Sequence, residues 1–183
     1  MKHAPKQVWC QAGFTLIELV VFIVVVAVGI SGTVLAINQS VALAPRTMEQ
    51  TRAMEIAQAY LDEIATKRYD QRSGQGGLPT CDSPNPGAST NPCSNTLGPE
   101  GGESRATFND VDDYHGVNDS PPLDASGAVF ADPHYTDFRV QIDVSYAGSE
   151  VGLGNNRFAK RISVVITSPF GQSIPVTVYR SNF

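Results

Sequence analysis

Glu18 is the only charged residue between Phe14 and Ile37, a run of 24 residues that is otherwise apolar, small or hydroxylated. A carboxylate so deep in an apolar stretch is costly, and its chemistry is that of a group in need of a positive partner. A second concentration of carboxylates runs from Asn109 to Asp119, where Asp110, Asp112 and Asp113 offer hard oxygen ligands of the kind calcium takes. The segment departs from the EF-hand template, because Tyr114 stands where a third acidic ligand is needed and no glutamate closes the loop. A solvated, turn-rich loop without metal is therefore the expectation, with calcium on those three aspartates the alternative. A transition-metal site using His115 and His134 beside them is a further alternative.

The cysteines divide between the two sides of the apolar run. Cys10 precedes it, whereas Cys81 and Cys93 follow in a Pro/Asn/Ser-rich stretch. In an oxidising compartment Cys81 and Cys93 would close that stretch as a disulfide. A two-cysteine metal half-site is the lesser reading, since neither has a nearby histidine or third cysteine. Two free thiols are the remaining one.

Signals for catalysis are missing from the sequence. Gly171-Gln172-Ser173 is followed by Ile174-Pro175, which breaks a G-x-S-x-G pattern, and the glycines of 73–77 lack the Lys and Ser/Thr of a phosphate-binding loop. His115 and His134 are the histidines left for acid–base work beyond the apolar run, and both read equally as surface residues. No enzyme and no cofactor is expected.

The elements that must carry these groups can be read from spacing. At about 1.5 Å per residue the apolar run makes a helix of roughly 36 Å, enough to cross a hydrocarbon core of ~30 Å. Lys2 and Lys6 precede it, which places the leader in the cytoplasm and the C-terminal bulk across the membrane. An ordinary secretory signal is the plain alternative, and Ala42-Leu43-Ala44 supplies a cleavage-like pattern. The apolar segment is too long for a signal core, however, and Pro45 is a poor residue at a cut. Gly29, Ser31, Gly32 and Thr33 form a small-residue cluster that permits close helix approach. Pro45 is expected to kink or restart the helix.

From 46 to 69 the pattern is amphipathic: Ala53, Ala57, Tyr60, Leu61 and Ile64 recur at three- and four-residue spacing, with Met54 and Ile56 flanking the stripe. Residues 70–136 read as a long loop region. In the C-terminal part Phe138, Val140, Ile142, Val144 and Tyr146 alternate with polar residues, followed at the same period by Ile162, Val164 and Ile166 and then Ile174, Val176 and Val178. Pro169-Phe170-Gly171 separates the last two runs as a hairpin, and Pro175 makes the last strand an edge. The expectation is an α+β chain: residues 1–13 a leader, 14–44 an apolar half-helix, and 46–183 one globular domain whose helix packs on an antiparallel sheet at 137–181.

The formal charge of −5 becomes −7 once Lys2 and Lys6 leave with the leader, with 11 basic against 18 acidic residues. Scattered lysines and arginines on an acidic chain exclude a nucleic-acid partner.

The junction Gly13-Phe14-Thr15-Leu16-Ile17-Glu18 closely resembles the processing site of type IV prepilins and type II secretion pseudopilins. The resemblance implies a cut after Gly13 by a prepilin peptidase and methylation of Phe14 as the new terminus. It also implies that Glu18 pairs with the terminal ammonium of an adjacent subunit, fixing axial register. It covers residues 13 to about 40 and is shared by major pilins, minor pilins and pseudopilins. Residues 108–116 resemble, over that short stretch, minor pilin-like proteins of the mannose-sensitive haemagglutinin pilus system. Many major pilins have a proline halfway along the apolar half-helix, whereas here the first proline after the junction is Pro45. The implied function is a minor pilin that assembles or primes such a pilus. Its partners would be the peptidase, other pilin subunits and the inner-membrane assembly platform. The alternatives are a type II secretion pseudopilin and a membrane-tethered adhesin or binding module.

Overall fold

The structure, a computed structural model, describes residue 13 and residues 15–74, 78–82 and 91–182. The chain divides into two compact units, 1–46 and 47–183. One helix, α1, carries the assignment Leu16–Ala65 and contributes to both. Pro45, where a kink or restart is expected, lies within that assignment.

In the first unit, Thr15 opens the helix: its carbonyl accepts from the Leu19 N–H at 3.2 Å and its Oγ1 from the Glu18 N–H at 3.4 Å. Residues 16–39 have a mean hydropathy of 2.8, and all of them are exposed. Leu16, Ile17, Val25 and Leu35 are all more than 60 % exposed. A helix this apolar all round is stable only when something apolar surrounds it. Ser31 and Thr33 donate back to the carbonyls of Ala27 and Gly29, each at 2.7 Å, so their hydroxyls are satisfied within the helix.

The second unit is built on four antiparallel strands in the order β1-β2-β3-β4: β1 Asn118–Asp119, β2 Arg139–Tyr146, β3 Ala159–Thr167 and β4 Ser173–Ser181. Period-two alternation places Val140, Ile142 and Val144 of β2 beside Ile162, Val164 and Ile166 of β3, in register as Val140–Ile166, Ile142–Val164 and Val144–Ile162. The C-terminal part of α1 buries Ala53, Ile56, Ala57, Tyr60 and Ile64 in the same core. Each fully buried Ile or Val contributes roughly 1.5–3 kcal/mol of transfer free energy. The apolar stripe differs in detail from the expected one: Ile56 is in the core, Leu61 is at its margin and Met54 is 50 % exposed. β4 is the edge, its Ile174, Val176 and Val178 only partly buried, and Pro175 stands opposite Val165. The β3–β4 turn closes through the Gly171 N–H on the Ser168 carbonyl at 2.9 Å, with Gly171 at φ +77°, a conformation that favours glycine.

The helix ends at Ala65 rather than at Tyr69. The Thr66 and Lys67 N–H groups bond to the Glu63 and Ile64 carbonyls in a tightened last turn, and Arg180 Nη1 donates to the Ala65 carbonyl at 2.6 Å. Residues beyond turn instead toward the segment around 110: the Arg68 N–H donates to the Asn109 carbonyl, and the Val111 N–H to the Arg68 carbonyl. The long connection at 70–136 is accordingly not all loop, since it holds β1 and three short 3-10 turns at 105–107, 112–114 and 133–135.

Candidate functional site

Of the groups singled out at the N-terminus, Gly13 is described and exposed, and a Cβ built on it would meet nothing within 4 Å. Phe14 and the preceding leader, with Lys2, Lys6 and Cys10, lie outside the described residues. Glu18 occupies the first turn of α1 and is exposed, where the positive end of the helix dipole favours a carboxylate. Gly29, Ser31, Gly32 and Thr33 lie on the same exposed helix, and a Cβ built on either glycine would meet nothing within 4 Å. An accessible glycine before a helix, a carboxylate in its first turn and a sleeve of exposed apolar side chains form one arrangement. It suits proteolytic entry at one end and burial among apolar partners along the rest.

Residues 10–34 match the prokaryotic N-terminal methylation motif. That motif supports a type IV pilin or pseudopilin, and it implies processing by a prepilin peptidase and association with other pilin subunits. Its bearers are structural rather than catalytic. Among the described residues, one helix, at 16–39, is long and apolar enough to cross a membrane, which together with the motif fits a single-pass inner-membrane protein. No curated protein and no solved structure matches the chain.

In the second unit the structure joins Cys81 and Cys93 as a disulfide with a Cα–Cα distance of 4.9 Å. Both are fully buried beside Tyr69, and Asn182 Nδ2 donates to the Cys81 carbonyl at 2.7 Å, tying the end of the chain to the bridge. With the sulfurs bonded to each other, no thiolate remains for a metal half-site.

The acidic segment corrects the sequence reading most sharply. Asp110, Asp112 and Asp113 are not solvated; all three are completely buried. They also separate into two groups. Asp112 pairs with Lys160 Nζ, which donates in turn to the Tyr69 carbonyl at 2.5 Å and stands 3.4 Å from Asp70 Oδ2. Lys160 lies over the Tyr69 and Tyr146 rings, at 4.2 and 5.3 Å from their centroids. Asp70 accepts from the Arg72 and Ser94 N–H groups, both at 2.9 Å. Burial alone would raise the Asp70 carboxyl, but those N–H groups and the ammonium hold it below the usual range. Asp112, with one ammonium shared between two carboxyls, is pushed up by burial to about 7.

Asp110 and Asp113 face the other way, toward Glu100. Asp113 Oδ2 accepts from the Asn109 and Asp110 N–H groups at 2.7 and 3.1 Å, and Asp110 Oδ1 from the Asp112 N–H at 2.7 Å. Burial, then the charges of Asp112 and Asp113, push Asp110 up to about 8. Glu100 and Glu103 are raised as well, by burial first and then by neighbouring carboxyls, Asp113 among them.

The histidines do not join either group. His115 Nδ1 lies 3.4 Å from Asp143 Oδ1 and His134 Nδ1 2.6 Å from Asp132 Oδ1, so the transition-metal set with Asp110, Asp112 and Asp113 is not assembled among the described residues.

Sequence reading missed Lys160, Asp70, Glu63 and Glu100. Glu63 anchors a second network, accepting from Arg105 Nη2 at 2.7 Å and from the Tyr114 hydroxyl at 2.5 Å, while Arg105 stacks over Tyr60 and Tyr114. Tyr60 closes it, donating to Asp119 Oδ2 at 2.7 Å and accepting from the Leu123 N–H at 2.8 Å. A signal for Lys160 existed: it shares the parity of Ile162, Val164 and Ile166 and so belongs to the inward face of β3.

Proposed function

We propose that this chain is a minor pilin, cut after Gly13, methylated on Phe14 and used to assemble or prime a type IV pilus of the haemagglutinin type. The observation that carries the reading is the methylation motif at 10–34 set at the head of an apolar helix whose residues 16–39 are exposed. With the N-terminus cytoplasmic and the domain 46–183 periplasmic, the helix leaves lipid to join a bundle of like helices. Glu18 then meets the ammonium of a neighbouring subunit, an attraction that water no longer screens. The small residues of the 29–33 cluster allow close helix approach, and the globular unit faces outward toward the assembly platform and other subunits.

Cleavage is the step to test first. Gly13→Val puts a branched side chain at the cut and should leave the 13-residue leader attached, as read by intact mass of the membrane-extracted protein. A wild-type chain beginning at Met1 or after Ala44 overturns the reading. Crosslinking in cells then separates pilus from secretion use: capture of pilus subunits supports the proposal, and capture of secretion-system pseudopilins replaces it with a piston subunit.

A further inference from the structure

Glu100 Oε2, Asp110 Oδ2 and Asp113 Oδ1 are buried and accept no hydrogen bond among the described residues; the other such carboxyl oxygens of the second unit are Glu49 Oε2 and those of Asp112, whose Oδ1 is ion-paired with Lys160. One oxygen from each of the same three residues lies within 4.8 Å of the others. A buried acceptor without a donor is expensive, and carboxyl groups of like charge gathered in one place are costly as well. No ion pair among the described residues reaches Glu100, Glu103, Asp110 or Asp113. Cations of the surrounding segments have other partners: Lys160 has Asp112, Arg105 has Glu63, Arg68 has Gln71 and Asn109, and Lys67 has the Phe108 carbonyl at 2.8 Å.

From this cluster we infer a calcium site formed by Glu100, Asp110 and Asp113. The donor set is all oxygen, which suits a hard cation and gives zinc or copper no nitrogen or sulfur. Two oxygens bound to one calcium at about 2.4 Å stand at most ~4.8 Å apart, the spread that these three show. The second oxygen of each aspartate is fixed by backbone N–H groups, so the free oxygen is held in place before any ion arrives. Glu103 supports the frame, its carboxylate accepting from Asn109 Nδ2 at 2.6 Å and from the Glu100 N–H at 3.3 Å. Asp112 takes no part, because its charge is answered by Lys160.

The test uses the full chain in detergent micelles, stripped with chelator, and does not depend on assembly, so it stands apart from the pilin reading. Thermal unfolding is followed as calcium chloride or magnesium chloride is added, and bound calcium is counted by equilibrium dialysis. The midpoint should climb with the logarithm of calcium, as for a ligand that binds the folded state, with a smaller rise in magnesium and one calcium per chain. Glu100→Gln removes a negative charge from the donor set at a half-buried loop position, leaving only a neutral amide oxygen there. It should raise the calcium needed for a given rise roughly tenfold or more, the size expected even when a supporting group is lost. Asp113→Asn, which keeps an oxygen for the two backbone N–H groups, should do the same. No rise in calcium, a rise matched by magnesium, or a calcium rise unchanged in Glu100→Gln each overturns the site.

Discussion

Lys160 and Asp112 form an ion pair in which neither side chain has any exposure to solvent. The pair joins the inward face of β3 to the segment that follows Asp110, so two stretches far apart in sequence are held by one buried contact. Removing one partner of such a pair is far more damaging than removing both, because the remaining charge has no water to turn to.

Lys160→Met should therefore destabilise the second unit by about 3–5 kcal/mol, leaving Asp70 and Asp112 buried without a cation. Chemical denaturation of the full chain in detergent measures it. The double change Lys160→Met with Asp112→Asn should recover part of the loss, and a loss below about 1 kcal/mol in the single variant would mean that the pair contributes little.

Stability should fall as pH rises through neutrality when calcium is withheld. In the unfolded chain Asp110 and Asp112 release their protons near the ordinary carboxylate value, about 4. In the folded chain burial holds those protons to about 8 and about 7. The folded state binds more protons between these limits, so this contribution is full below about 4 and is lost as pH rises through 7 to 8. Asp70 acts in the opposite sense: its lowered value makes stability fall as pH drops through the acid range. Melting in chelator at a series of pH values should show a decline from pH ~5 to ~9, and a midpoint that climbs over that interval contradicts the burial of these carboxyls.

The Cys81–Cys93 bridge closes a loop of sequence separation 12, for which the chain-entropy model gives roughly 3 kcal/mol. Cys81→Ser with Cys93→Ser should lower the denaturation midpoint accordingly. Peptide mapping of the wild type without reductant should recover the two cysteines linked, and two free thiols in oxidised protein would contradict the bridge.

Glu18→Val should separate processing from assembly. It removes a charge that costs energy in lipid, so insertion and cleavage should continue while recovery in sheared filaments is lost. Normal recovery of the variant in filaments removes the register role from Glu18.

Ile56 and Met54 test how the C-terminal part of α1 sits. Ile56→Ala should cost about 2–5 kcal/mol as a core truncation, whereas Met54→Ala, at a 50 % exposed position, should fall within about 0.5 kcal/mol. Equal effects would mean that another face of the helix is buried.

The same pair shows where the sequence was legible. Alternation in β2 and β3 identifies their inward residues one by one, because a strand has only two faces. A helix has no such sharp division, and the stripe drawn through Leu61 missed Ile56 by one position. Helix termination at Ala65 was hidden because its cause is distant: Arg180 meets the Ala65 carbonyl, and Arg68 bonds to residues 109–111. The burial of Asp110, Asp112 and Asp113 was hidden for the same reason. An acidic run reads locally as solvated, and only the approach of Lys160 and Glu100 across the fold shows otherwise.

β4 ends the sheet with one side bonded to β3 and, among the described residues, no strand on the other. An open edge of nine residues is a template on which a neighbouring copy could extend the sheet. Pro175 lies near its start and has no N–H to offer, so a strand laid alongside would meet a missing rung there. Where copies of the domain meet at high concentration, that interruption disfavours edge-to-edge fusion of their sheets.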